Sequence, residues 1–188
     1  MQTATQPKLT DIIIPESYKQ YFQNNERVVK YPDFVLKSKC MSVNKFDDYI
    51  KKLVDSMKQI LIETRGLGLS APQVGVLSRI IIIGTSAVYM KQRTPYLVMI
   101  NPILLKSSGE EEDYEGCLSL PGLLAKVKRP TSGSIEYYDI HGKKKKISLH
   151  GVTLRACLHE MDHLEGILFF EKADLSSIVW LPPNYNVI

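Results

Sequence analysis

Between Asn44 and Gly66 the apolar residues Ile50, Leu53, Val54, Met57, Ile60 and Leu61 recur at the spacing of one helical face. The pattern predicts a helix over about 45–65. Asn44 serves as N-cap, Asp47 and Asp48 favour the positive end of the dipole, and Gly66 stops the helix. A Gly-rich loop follows, and the four isoleucines within 79–84 read as a buried strand. Past Met99 short β segments alternate with turns: 98–103, then 134–138 and 146–149 joined through His141-Gly142. A second helix over about 152–165 is closed by Gly166 and followed by an apolar strand at 167–170. Upstream, 28–33 is strand-like and ends in the turn signal Tyr31-Pro32-Asp33. Short antiparallel sheets around a central helix make the fold α+β. The divisions are an N-terminal extension over 1–27, a single domain over 28–174 and a tail over 175–188 that contains Pro182-Pro183.

Composition narrows the class. A chain of 188 residues, 44% hydrophobic and 23% charged, can bury one core. The apolar runs are far too short to span a membrane, and the polar N-terminal stretch resembles neither a secretory signal nor an Arg-rich transit peptide. Three irregularly spaced cysteines do not make a disulfide framework, and they fit a reducing compartment. By elimination the expected location is cytoplasmic. A net charge of +4 permits weak attraction to an anionic surface such as a ribosome, but no basic stripe marks a DNA binder.

The run His159-Glu160-Met161-Asp162-His163 carries the chemistry. Its two histidines are four positions apart, so on a helix both imidazoles project from one face and can hold one metal ion. Glu160 beside them is placed to take a proton from a water on that ion. A third ligand is needed, and Cys117 in Glu115-Gly116-Cys117-Leu118-Ser119 is the best candidate, Gly116 letting the backbone approach closely. The alternative for Cys117 is a buried hydrophobic cysteine. Glu165 points off the shared face, Asp174 is a weak candidate, and His141 and His150 read as surface or core imidazoles. Cys157 has a packing role. The run 110–113 reads as an exposed acidic loop and 143–146 as a solvated basic turn.

Three segments, in order, resemble the peptide deformylases. Gly66-Leu67-Gly68-Leu69-Ser70-Ala71-Pro72-Gln73 is similar to that family's first motif, Glu115 to Ser119 matches its second (EGCLS), and His159 to Gly166 its third (HExDHLxG). Gln73, Cys117 and His159 stand some forty residues apart, as in the family, and 29–33 resembles its usual lead-in. Ser70 stands where the motif has alanine, and Leu158 where a glutamine usually precedes the first histidine. The short tail lacks the long C-terminal helix of some bacterial members, so no ribosome contact carries over from that helix.

The resemblance implies a peptide-deformylase-like fold around the metal-bearing helix. It implies hydrolysis of the N-formyl group from the initiator methionine of nascent polypeptides, with release of formate. One ion per chain is expected, usually Fe²⁺ with Zn²⁺ or Ni²⁺ able to substitute, held by Cys117, His159 and His163. Bound water attacks the formyl carbon, Glu160 acts as general base and then acid, and Gln73 and the Leu118 N–H receive the oxyanion. Leu67, Gly68 and Gly116 are expected along the substrate peptide. Val152, Arg155 and Ala156 precede His159 by seven, four and three positions and are expected around the methionine side chain. Arg155 either packs its stem with the head at the rim or pairs with an acidic group. Glu115 and Arg129 are expected to pair. Two rivals accompany this reading: a zinc peptidase, which needs a downstream ligand, and a non-catalytic binder of formyl-peptides or ribosomes. A bacterial source is expected from the function, although organelles also carry such enzymes.

Overall fold

The computed structural model describes residues 12–22, 27–84 and 96–181. Among the described residues two helices, α1 (Asp48–Thr64) and α2 (Gly151–Leu164), accompany eight strands. Strands β1 (Gly68–Ser70), β2 (Ile80–Gly84), β3 (Tyr96–Ser108), β6 (Ser132–Tyr138) and β7 (Lys144–His150) form an antiparallel sheet in the order β1-β2-β3-β6-β7. Strands β4 (Glu111–Cys117), β5 (Leu120–Arg129) and β8 (Val179–Trp180) form a second, smaller one. The α+β architecture is the one read from the sequence.

The four isoleucines of β2 explain how the layers meet. Ile80 and Ile82 pack with Ile50, Val54, Met57 and Leu61 of α1, whereas Ile81 and Ile83 pack with Leu154, Cys157 and Leu158 of α2. Side chains alternate along a strand, so a strand covered on both faces must be apolar throughout. A third cluster, with Tyr31, Leu36, Leu120, Val127, Phe169 and Phe170, joins the small sheet to the end of α2. Cys117 lies in this cluster, which brings the second sheet against the histidine helix.

Several local expectations are corrected. The cap of α1 is Asp47, whose carboxylate accepts from the Ile50 N–H at 3.2 Å, so the helix starts three residues later than Lys45. It ends on Arg65 in the left-handed conformation (φ 54°) rather than on Gly66. Gly66 matters for space: a Cβ there would meet Leu118 Cδ1 at 3.0 Å. The apolar run 167–170 is not a strand but leads into a 3₁₀ turn, Phe169–Lys172, because the Glu171 carboxylate accepts from the Leu168 N–H at 2.7 Å. The lead-in 28–33 joins neither sheet and turns at Tyr31-Pro32, where the Asp33 N–H donates to the Lys30 carbonyl at 3.1 Å. Glu111, Glu112 and Asp113 are exposed, yet they lie in β4, where Glu111 faces Arg129 and Glu112 faces Lys128 across the hairpin. Lys144 to Lys146 belong to edge strand β7 rather than to a turn. Pro182-Pro183 lies outside the described residues.

Candidate metal centre

The HExxH run occupies the last turns of α2, and both histidines are buried. One turn of helix separates them, so their rings meet edge to face at 5.2 Å between centroids. Opposite them the β4–β5 hairpin turns within two residues, Leu118 and Ser119, so that Cys117 pairs with Leu120. A register shift between Glu115 and Cys117 sets the single residue Gly116 of β4 against residues 121–124 of β5, so the irregularity lies on the β5 side. Cys117 Sγ lies 3.3 Å from His163 Nε2, and the candidate ligand atoms of Cys117, His159 and His163 all fall within 4.8 Å of one another. Ligands about 2.0–2.3 Å from a tetrahedral metal stand roughly 3.3–3.6 Å apart, so this donor set fits one ion.

The surrounding charges suit a cation. The Glu115 carboxylate accepts from His159 Nδ1 at 3.0 Å, which leaves Nε2 free to face the centre. Burial would lower the pKa of His159, but hydrogen bonds to Cys117 and Glu115 hold it well above its ordinary value. That is where positive charge is favoured. Burial, with His159 and Arg129 nearby, pushes His163 well below its ordinary value. Glu160 is pushed up to about 7 by burial, which outweighs the opposing pull of His159 and of the nearby Ser70. Its Oε2 is buried without a hydrogen-bond partner among the described residues. A carboxylate near neutrality with a vacant oxygen can exchange protons with a reactant.

Behind the centre lies a buried ion network. Arg129 grips Glu115 through two hydrogen bonds of 2.8 Å and reaches Asp162 at 2.6 Å. The bidentate pair expected for Glu115 and Arg129 is therefore present. Arg155 also pairs with Glu115, at 3.0 Å, and donates to the Val127 carbonyl at 2.7 Å and the Glu111 carbonyl at 2.8 Å. Of the two readings left open for Arg155, pairing with an acidic group is the observed one.

Gln73 sits in a 3₁₀ turn, Ala71–Val74, started by Pro72. Its Oε1 accepts from both the N–H and the hydroxyl of Ser70 at 2.8 Å, so Nε2 faces Cys117 Sγ (3.5 Å) and Ser119 Oγ (3.4 Å). The Ser70 hydroxyl thus adds a bond that an alanine could not make. Leu67, Gly68, Gly116, Leu118, Arg155 and Ala156 line one cleft with Gln73, Cys117, His159 and Glu160. Val152 is the exception among the expected residues. It is 46% exposed, because it lies in the first turn of α2, nearly two turns from His159 and past the sheet. Tyr114 lines the cleft and escaped the sequence reading, although β4 alternation puts it on the same face as Gly116. Lys30 and Ser119 also escaped it. Both are buried at the hairpin turn, and nothing in their local pattern signals this. His141 and His150 are exposed, Glu165 bridges to Arg79, and Asp174 caps a surface turn.

Fold and site together define a hydrolase of the HExxH class whose third candidate ligand is a thiol. A family model described as polypeptide deformylase matches residues 25–177. The chain is 39% identical over 173 residues to a chloroplastic peptide deformylase 1B of Oryza sativa subsp. japonica, spanning 92% of this chain and 64% of that protein. It is 41% identical to the peptide deformylase of Thermodesulfovibrio yellowstonii over 77% of this chain and 87% of the relative. A crystal structure of peptide deformylase from Plasmodium falciparum superimposes with a TM-score of 0.74 at 40% identity, covering 80% of this chain and 87% of that one. The chain belongs to the peptide deformylase family. Among the described residues no helix is long and apolar enough to cross a membrane.

Proposed function

We propose that this chain hydrolyses the N-formyl group from the first methionine of nascent polypeptides, giving formate and a free amine. The observation that carries the reading is the convergence of Cys117, His159 and His163 beside the unpartnered oxygen of Glu160. Those three residues would hold one divalent ion, Fe²⁺ with Zn²⁺ or Ni²⁺ able to replace it. When bound, the ion supplies Lewis acidity that lowers the pKa of water and polarises the formyl carbonyl. Glu160 accepts the proton of the attacking water and passes it to the departing amine nitrogen. Gln73 Nε2 and the Leu118 N–H donate to the oxygen on which negative charge develops. Glu115 orients His159, while Arg129 and Arg155 keep that carboxylate ionised and in place. Leu67, Gly68 and Gly116 offer backbone to the peptide, and Ala156 leaves room for the methionine side chain. Formylated chains emerge from ribosomes, so the reading includes a transient ribosome contact, in a bacterial-type cytoplasm or in an organelle like that of the rice relative.

The direct test is formate release from formyl-Met-Ala-Ser by anaerobic protein loaded with Fe²⁺ or Ni²⁺. Turnover by the wild type, with loss of both metal and turnover in Cys117→Ala, is expected. No release with either ion would overturn the assignment, and metal retained by Cys117→Ala would favour the peptidase reading.

A further inference from the structure

The lead-in runs alongside the residues that present the site. The Val29 N–H donates to the Gln73 carbonyl at 2.8 Å, and the Tyr31 N–H donates to the Ser119 carbonyl at 2.9 Å. Between them Lys30 Nζ donates to the Leu118 carbonyl at 2.9 Å. Lys30 is only 6% exposed. Burying a cation is costly unless it is well hydrogen-bonded, so a surface lysine would not take this position by default. The Leu118 carbonyl is one end of a peptide unit whose other end, the Ser119 N–H, donates to Cys117 Sγ at 3.4 Å. A cation on the carbonyl oxygen draws electron density along the peptide and makes its N–H a stronger donor. Hydrogen bonds to a ligating atom tune what that atom gives its metal.

We propose that Lys30 is a positioning residue for Cys117, acting through the Leu118–Ser119 peptide. It strengthens the N–H···S bond and holds the turn that presents both the sulfur and the Leu118 N–H. The sulfur then yields less charge to the ion it would hold. This rests on the reading of Cys117 as a ligand. Lys30 lies outside all three motifs, so no spacing rule points to it.

The test compares the wild type, Lys30→Met and Lys30→Arg in the full chain loaded with Co²⁺, whose sulfur-to-metal charge-transfer band reports the electron richness of the thiolate. Lys30→Met is expected to move the band to longer wavelength and to lower kcat about tenfold with KM for formyl-Met-Ala-Ser nearly unchanged, while Lys30→Arg restores both. A residue that merely packs would leave the band in place, so a band unmoved by Lys30→Met overturns the role of Lys30. A wild type with no such band overturns the ligand reading and this proposal with it. Should Lys30→Met not fold, Lys30→Gln keeps a neutral donor and carries the same test. A band displaced to longer wavelength supports the proposal, and an unmoved one overturns it.

Discussion

Glu115 Oε2 accepts a hydrogen bond from His159 Nδ1 at 3.0 Å, and the same carboxylate is the shared partner of Arg129 and Arg155. One buried anion therefore orients a metal-ligating candidate and pairs with two buried cations. Glu115→Ala leaves Arg155 without its carboxylate and Arg129 with Asp162 alone, and breaking a buried pair typically costs about 3–5 kcal/mol. It also frees the His159 ring, so metal affinity falls by roughly 10–100-fold. Denaturant titration and metal competition check the two effects separately.

The same carboxylate fixes an acid limit. Burial alone would raise the pKa of Glu115, but hydrogen bonds from Arg129 and His159 outweigh it and hold the group well below the usual carboxylate range. In the window between the depressed native value and the unfolded value of about 4.3, the unfolded chain binds more protons, so stability rises with pH. The contribution of Glu115 is complete above that unfolded value and is lost as pH falls through the window. Unfolding midpoints of the wild type are expected to drop between about pH 5 and about pH 2 more steeply than those of Glu115→Gln. Parallel slopes would contradict this.

Gly68 faces the proposed base. An added Cβ would lie 2.6 Å from Glu160 Oε1 and 2.7 Å from its Cγ, so the Glu160 side chain would have to shift. Gly68→Ala is therefore expected to cost about a hundredfold in kcat, the scale of a misplaced catalytic group, with little change in unfolding midpoint. Activity within about twofold of wild type would show that Glu160 does not act from this position.

How much of this was legible beforehand follows from what each residue depends on. The HExxH pair is local: helical periodicity alone puts His159 and His163 on one face, and α2 shows them there. Cys117 and Gln73 depend on a hairpin and a turn from distant parts of the chain; the need for a third ligand pointed to Cys117, and only the family motifs tied Gln73 to the histidines. The β4–β5 hairpin was hidden because its acidic run reads as a solvated loop until the basic residues of the facing strand are known. The run at 167–170 failed for another reason. Four apolar residues do not distinguish a strand from a turn, and a side-chain cap by Glu171 decided it. Lys30 was invisible because its partner is a backbone carbonyl 88 positions away.

The thiol ligand makes metal dependence and oxygen sensitivity one prediction. Chelation is expected to abolish formate release, and adding Ni²⁺ to restore it, since the donor set is already assembled. Iron-loaded protein handled in air is expected to lose activity over hours to days as Cys117 climbs the oxidation ladder, faster than the nickel form. Mass spectrometry of the peptide carrying Cys117 should show added oxygen in step with the loss. Full iron-dependent activity after days in air would argue against a thiolate on the ion.

Val152 and Ala156 share a helical stripe with His159 in sequence, but only Ala156 lines the cleft. Ala156 is 7% exposed, whereas Val152 stands 46% exposed on the first turn of α2. The two positions therefore respond oppositely to enlargement. Ala156→Leu adds methylenes against the space assigned to the methionine side chain, and overpacking of this kind costs about 1–3 kcal/mol. Expressed wholly in substrate binding, that is roughly a 5–150-fold fall in kcat/KM for formyl-Met peptides, carried mainly by KM. A formyl-peptide with a smaller first residue should lose much less, because its side chain stops short of the added bulk. Val152→Lys should leave both parameters within about twofold, since surface changes seldom perturb stability or packing. A selective penalty at Val152 instead would mean that the methionine lies toward the start of α2, not against its middle turn.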